Sequence, residues 1–227
     1  KAPFPPNLLW RLEANRLHPY ELNLVSAVAA ATVVSQKDKD YLAKNSILVN
    51  PNGVRVSALS NQQRDAATLV FHGNMSYYPN VEAAKFLVNE VMPLVWQEMP
   101  QCKVQLAGAT PTKEVTDLAS ERVEVTGFVA DVKPFLEKAT LGVYPILRAT
   151  GIQNKILGAM MQGLPVITTA TVAEGIGQGR RGEHFVQADT AAEVAKRVVS
   201  LLADAKERQR LSSAGRALVE RHYTWEK

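Results

Sequence analysis

The chain has 227 residues, of which 46% are hydrophobic and 21% charged, with a formal net charge of +4, so it holds enough apolar material for one large or two small cores. No run reaches the roughly 20 uninterrupted apolar residues that cross a bilayer, the longest being the alanine-rich stretch 26–35, and no basic run is interleaved with aromatics as a nucleic-acid groove requires. The single cysteine, Cys102, excludes an internal disulfide; beside an apolar strand pattern it reads as a small buried thiol, which fits a reducing cytosol.

The opening KAPFPPNLLW has no initiator methionine, and its prolines oppose a signal-peptide helix, so the natural chain is expected to begin earlier. A leading helix follows. Next come a strand in TVVS from Thr32, a short helix in KDKDYLAK and a strand in ILVN from Ile47 that ends in the turn NPNGV. Two strands make too small a sheet to stand alone, so residues 1–60 read as the end of a larger domain. The polar, aperiodic NQQRDAA at 61–67 reads as a linker.

From Thr68 onward short apolar runs alternate with amphipathic stretches. Strands are expected in TLVFHG, KVQLAG from Lys103, VEVTG from Val123, LGVYPI from Leu141, PVITT from Pro165 and HFVQA from His184. Helices are expected at 80–99, 113–120, 132–139 and 153–162, with one long helix from Thr190. Most of the strands are β-branched, apolar and without polar alternation, as strands buried on both faces are. The spacing therefore predicts a parallel α/β sheet with helices on both faces over 68–227.

In such sheets ligands sit beyond the carboxyl ends of the strands. Gly73, Gly108, Gly127 and Gly151 all occupy loops at those ends. Glycines in α/β loops often do no more than turn the chain, but the loop from Arg148 to Lys155 also opens a helix. There two cations and free amides could meet a diphosphate. Neither G-x-G-x-x-G after the first strand nor a Walker-type phosphate loop occurs.

These residues carry a family resemblance. VFHGNMSYYPNVEAAKFLVNEVMPLVWQEMP, QLAG, VTGFVADVKPFLEKATLGVYPILRATGIQNKILGAMMQGLPVITT and AEGI, in this order over about 68–225, resemble the retaining GT-B glycosyltransferases called glycosyl transferases group 1. RLEANRLHPYE, TVVSQKDKDYL and ILVNPNGV resemble the last part of that family's N-terminal domain. The resemblance implies a GT-B type fold: a Rossmann-like donor domain with the remnant of a second Rossmann-like domain. It implies transfer of a sugar from a nucleotide diphosphate-sugar to an acceptor hydroxyl with retention, in polysaccharide or glycoconjugate biosynthesis.

Residue by residue, Gly73 and Asn74 match the glycine loop near the donor diphosphate and sugar. Gly108 and Gly127 close the next two strands, and Phe128 and Val129 match the loop whose backbone meets the base. Gly151, Ile152, Gln153, Asn154 and Lys155 match the loop whose amides meet the distal phosphate, and Arg148 and Lys155 would stabilise the leaving diphosphate. Glu174 matches a recurring acid near the donor. Where the family carries a pair of glutamates eight residues apart, this chain has Thr150 and Gly158. The resemblance implies no cofactor and no metal, the nucleotide-sugar being a substrate. It also implies a lipid-linked or polysaccharide acceptor, no nucleic-acid partner, and work in the cytoplasm at the inner membrane surface with peripheral attachment. A general base would come from the other domain, so this chain alone is expected to transfer poorly. The alternatives are a non-catalytic nucleotide-sugar-binding or protein-interaction relative and, behind it, a sugar-nucleotide epimerase.

Other chemistry-bearing residues have plainer readings. His72 reads as structural at a strand end. Asp38 and Asp40 imitate a metal-binding D-x-D but read as first-turn helix acids. Trp10, Trp96 and Trp225 read as packing residues.

Overall fold

The computed structural model describes residues 6–42, 46–61, 63–149 and 151–226. Its contacts separate two compact units, Lys1–Pro51 and Asn52–Lys227. In the first, helix α1 (Pro6–Ala27) leads to strand β1 (Ala31–Val33), helix α2 (Gln36–Leu42) and strand β2 (Ile47–Val49). The two strands pair in parallel with Ala31 opposite Ile47. The start of α2 explains Asp38, while Asp40, beyond the first turn, accepts from Gln36 Nε2 at 2.7 Å. Ser35 Oγ donates to Asp38 at 2.6 Å and accepts from the Asp38 amide at 3.1 Å, a reciprocal helix cap.

The second unit holds the main sheet. Strands β3 (Thr68–His72), β4 (Lys103–Ala107), β5 (Val123–Gly127), β6 (Leu141–Tyr144), β7 (Val166–Thr168) and β8 (Val186–Gln187) lie all parallel in the order β5-β4-β3-β6-β7-β8. Every residue of β3, β6 and β7 is buried, which is why these segments lack polar alternation. The chain winds outward from β3 to β5, then crosses back to place β6 on the other side of β3. The crevice between β3 and β6 is therefore the topological switch point, where open α/β sheets bind ligands.

Helices α3 (Tyr78–Phe86) and α4 (Met92–Glu98) are joined by a π-helical turn, Leu87–Val91. Pro93 stands at the start of α4; it lacks an N–H, its ring crowds the carbonyl four residues back, and the wider turn accommodates both effects. Then come α5 (Lys113–Thr116), α6 (Lys133–Lys138), α7 (Asn154–Met161), α8 (Ala170–Ala173), α9 (Ala191–Ala203) and α10 (Ala205–His222).

Three features differ from the sequence expectation. The long helix from Thr190 is two helices, because Asp204 ends α9 and caps α10 by accepting from the Glu207 amide at 2.9 Å. The four-residue helix α8 follows β7, too short for periodicity to reveal. Residues 52–61 and 63–67 belong to the second unit: Val54 N–H donates to Tyr223 O at 2.8 Å, Ser57 O accepts from Arg216 at 2.7 Å, and Arg64 bonds the ends of two helices. The division after Pro51 thus falls ahead of the expected linker at 61–67.

Candidate functional site

The loops after β3 and β4 are held together by backbone. Gly73 N–H donates to Ala107 O at 3.0 Å and Met75 N–H to Ala109 O at 2.8 Å. A Cβ on Gly108 would lie 1.8 Å from Gly73 O, so only glycine permits this crossing. On the other side of the switch point, a Cβ on Gly175 would lie 2.3 Å from Gly151 O. That contact seats the loop after β7, with Glu174, against the loop after β6.

Helix α7 starts in this crevice. The Gln153 side chain does not cap it, and the amides of Ile156 and Leu157 turn back to Gln153 O, leaving the amides of Asn154 and Lys155 outside the helical ladder. They point positive partial charge outward. Lys155 reaches back over the β3 loop. Its Nζ donates to Asn80 Oδ1, lies 5.6 Å from the centroid of the Phe71 ring, and comes within 3.3 Å of where a Gly73 Cβ would stand. Burial lowers the Lys155 ammonium to a pKa of about 8. A cation partly stripped of water beside the amides of a helix start is an arrangement that could hold an anion.

Beneath it His72 is buried, its Nδ1 2.7 Å from the Tyr144 hydroxyl. Burial first, and the Lys155 charge second, push its pKa down to about 3. His72 is thus held uncharged, bonded to Tyr144 at the strand end.

Residues 66–204 match the family model of the glycosyl transferases group 1. The chain belongs to that family. Phosphatidyl-myo-inositol mannosyltransferase of Mycobacterium leprae (strain TN) is 23% identical over an alignment of 221 residues that covers 92% of this chain and 58% of the relative. The chain therefore spans little more than half of that curated relative. Among solved structures, S. aureus TarM superposes with a TM-score of 0.78 at 16% identity, over 92% of this chain and 43% of TarM. Anabaena HepE in complex with UDP and glucose superposes with a TM-score of 0.70 at 14% identity, over 91% of this chain and 62% of HepE. The likeness is one of fold, GT-B type with a Rossmann-like parallel sheet.

On this glycosyl transferases group 1 fold, the residues named from sequence fall into two sets. Gly73 meets Gly108 and Lys155 on one side of the crevice and Gly151 meets Gly175 on the other, with Gln153 at the helix cap and Ile152 buried. Asn74 is exposed, but its side chain is turned to its own loop, accepting from Ser76 N–H at 3.0 Å and Ser76 Oγ at 2.8 Å. Gly127 has a left-handed φ of 69°, and Phe128 after it is 78% exposed beside a half-buried Val129. Arg148 is exposed, and no contact joins it to Lys155 among the described residues. Thr150 lies outside the described residues. Gly158 sits on α7 with nothing within 4 Å of a Cβ position, and Asn154 and Glu174 are exposed.

Two features escaped the sequence reading. Asn80, in the first turn of α3 and only 3% exposed, is the residue to which Lys155 is bonded. The rear of α7 is held by two arginines: Arg64 donates to Gln162 O at 2.7 Å and, at the end of α6, to Leu136 O at 2.6 Å and Ala139 O at 2.8 Å, while Arg216 donates to Met161 O. Polar linkers and helix faces gave no sign of either.

Of the tryptophans, Trp96 is pinned by Nε1 to Cys102 O at 2.8 Å beneath the Arg122 guanidinium, whereas Trp10 and Trp225 are exposed rather than packed. Cys102 is buried, and burial lifts its thiol to about 12. Among the described residues no cluster of three or more His, Cys, Asp or Glu side chains could hold a metal, and no helix is long and apolar enough to cross a membrane.

Proposed function

We propose that this chain binds a nucleoside diphosphate-sugar and serves a glycosyltransferase that moves the sugar to an acceptor hydroxyl with retention. The observation that carries the reading is the Lys155 ammonium at the start of α7, set over Gly73 at the switch point. A diphosphate placed there would meet one cation and two amides. When the bond between the anomeric carbon and the diphosphate oxygen breaks, negative charge grows on that oxygen, and these fixed donors stabilise it. The acceptor oxygen takes over the anomeric carbon and its proton leaves to a base.

The likeness in fold to HepE, whose structure holds UDP and glucose, supports a nucleotide-sugar donor. A lipid-linked or polysaccharide acceptor, met at the inner face of a membrane, and independence of metal ions belong to the same proposal. So does weak transfer by this chain alone, with the acceptor held by another part of the enzyme. Saturation-transfer NMR with UDP-glucose and GDP-mannose tests the reading. Transfer to the base and ribose protons of one donor, abolished by the matching nucleoside diphosphate, is expected; silence from both contradicts it.

Gly158 favours a second reading, a relative that has lost donor affinity. A glutamate there meets open space, so Gly158→Glu should fold, and affinity appearing only in that variant would select the second reading.

A further inference from the structure

The buried amide of Asn80 has two partners. Its Nδ2 donates to Asn74 O at 2.8 Å, and its Oδ1 accepts from Lys155 Nζ. A carbonyl can only accept and an ammonium can only donate, so these partners fix which end of the amide is which. The amide thereby ties the α7 ammonium to the backbone of the β3 loop. One Lys155 proton is taken and two are left for a ligand. A carboxylate at this position could accept from Lys155 but could not donate to Asn74 O, and it would cancel the lysine's charge. An amide orients it and leaves the charge whole.

We propose that Asn80 is a positioning residue that aims the Lys155 ammonium at the diphosphate of the donor, an inference that rests on the donor-site reading above. The titratable group facing the pair from β3 is His72, which burial keeps uncharged, so the positive charge presented to the ligand is that of Lys155.

A double-mutant cycle on the 227-residue chain tests this, with UDP and GDP as probes in calorimetry. Asn80→Ala should weaken binding of the preferred nucleotide about tenfold, the worth of one charge-assisted hydrogen bond. In a Lys155→Met background the same substitution should change affinity less than about twofold. An equal loss in both backgrounds overturns the proposal, because Asn80 would then act without Lys155. Asn80→Asp is the second variant: its carboxylate can accept from Lys155 but cannot donate to Asn74 O, and it cancels the charge. It should lose at least as much affinity, and undiminished binding there would also overturn the proposal. If the unmodified chain binds neither probe, the donor-site reading itself falls; if it binds and the cycle shows no coupling, only the role of Asn80 falls.

Discussion

The Tyr144 hydroxyl lies 2.7 Å from Nδ1 of His72, with both rings buried under the glycine loop of the candidate donor site. The pair joins β3 to β6 across the switch point, so the two strands that define the crevice share a polar bond in an apolar core. His72 is held to a pKa of about 3, below the ordinary value near 6.5 of an unfolded chain. Between those values the unfolded state binds the extra proton, so this residue makes stability fall as pH is lowered from about 6.5. In urea titrations from pH 7 to 5, His72→Gln should show a shallower loss than the parent chain. Parallel slopes would refute a neutral buried His72.

Tyr144→Phe removes the hydroxyl and leaves a buried imidazole nitrogen without its partner. The expected cost is about 1–3 kcal/mol, read as a lower urea midpoint with an unchanged slope.

Lys155 gives UDP or GDP binding a pH dependence of its own. The ammonium ionises at about 8 in the free protein, and a bound anion would raise that value. Affinity should therefore hold from pH 7 to about 8 and fall above it, with proton uptake on binding. Lys155→Arg, charged throughout this range, should flatten the profile; the same fall in that variant would assign the titration elsewhere.

Arg64 donates to carbonyls at the ends of both α6 and α7. Arg64→Ala should cost about 2–3 kcal/mol by leaving those acceptors unpaired. Arg64→Lys should not restore it, because a single ammonium lacks the planar fork that spans two helices.

Two glycines make opposite predictions. Gly108→Ala places a Cβ 1.8 Å from Gly73 O and should destabilise the fold while distorting the donor loop. Gly158→Ala meets nothing within 4 Å on α7 and should stabilise by about 0.5–1 kcal/mol through helix propensity. Thermal melts of the two variants decide both.

The strands were legible because β3, β6 and β7 are buried on both faces and are rich in apolar and β-branched residues. Lys155 was legible because a glycine loop opening a helix is an anion site on general grounds. Asn80 was not, since a polar residue in a helix's first turn reads as solvent-facing until the fold lays α7 across it. The break at Asp204 was hidden because its neighbours AKERQRL continue good helix formers, and only the cap geometry ends one helix and starts the next. Arg64 sat in an aperiodic stretch whose polarity suggested a free linker, yet its guanidinium is committed to helix carbonyls.

The most direct test of the donor-site account is calorimetric titration of the chain with UDP and GDP, beside a Lys155→Ala variant. Saturable binding of one nucleotide, weakened at least about tenfold by loss of one charge-assisted contact, is the expected result. Binding undiminished in the variant would move the diphosphate away from α7, and no binding of either nucleotide would contradict the assignment of this crevice as a donor site.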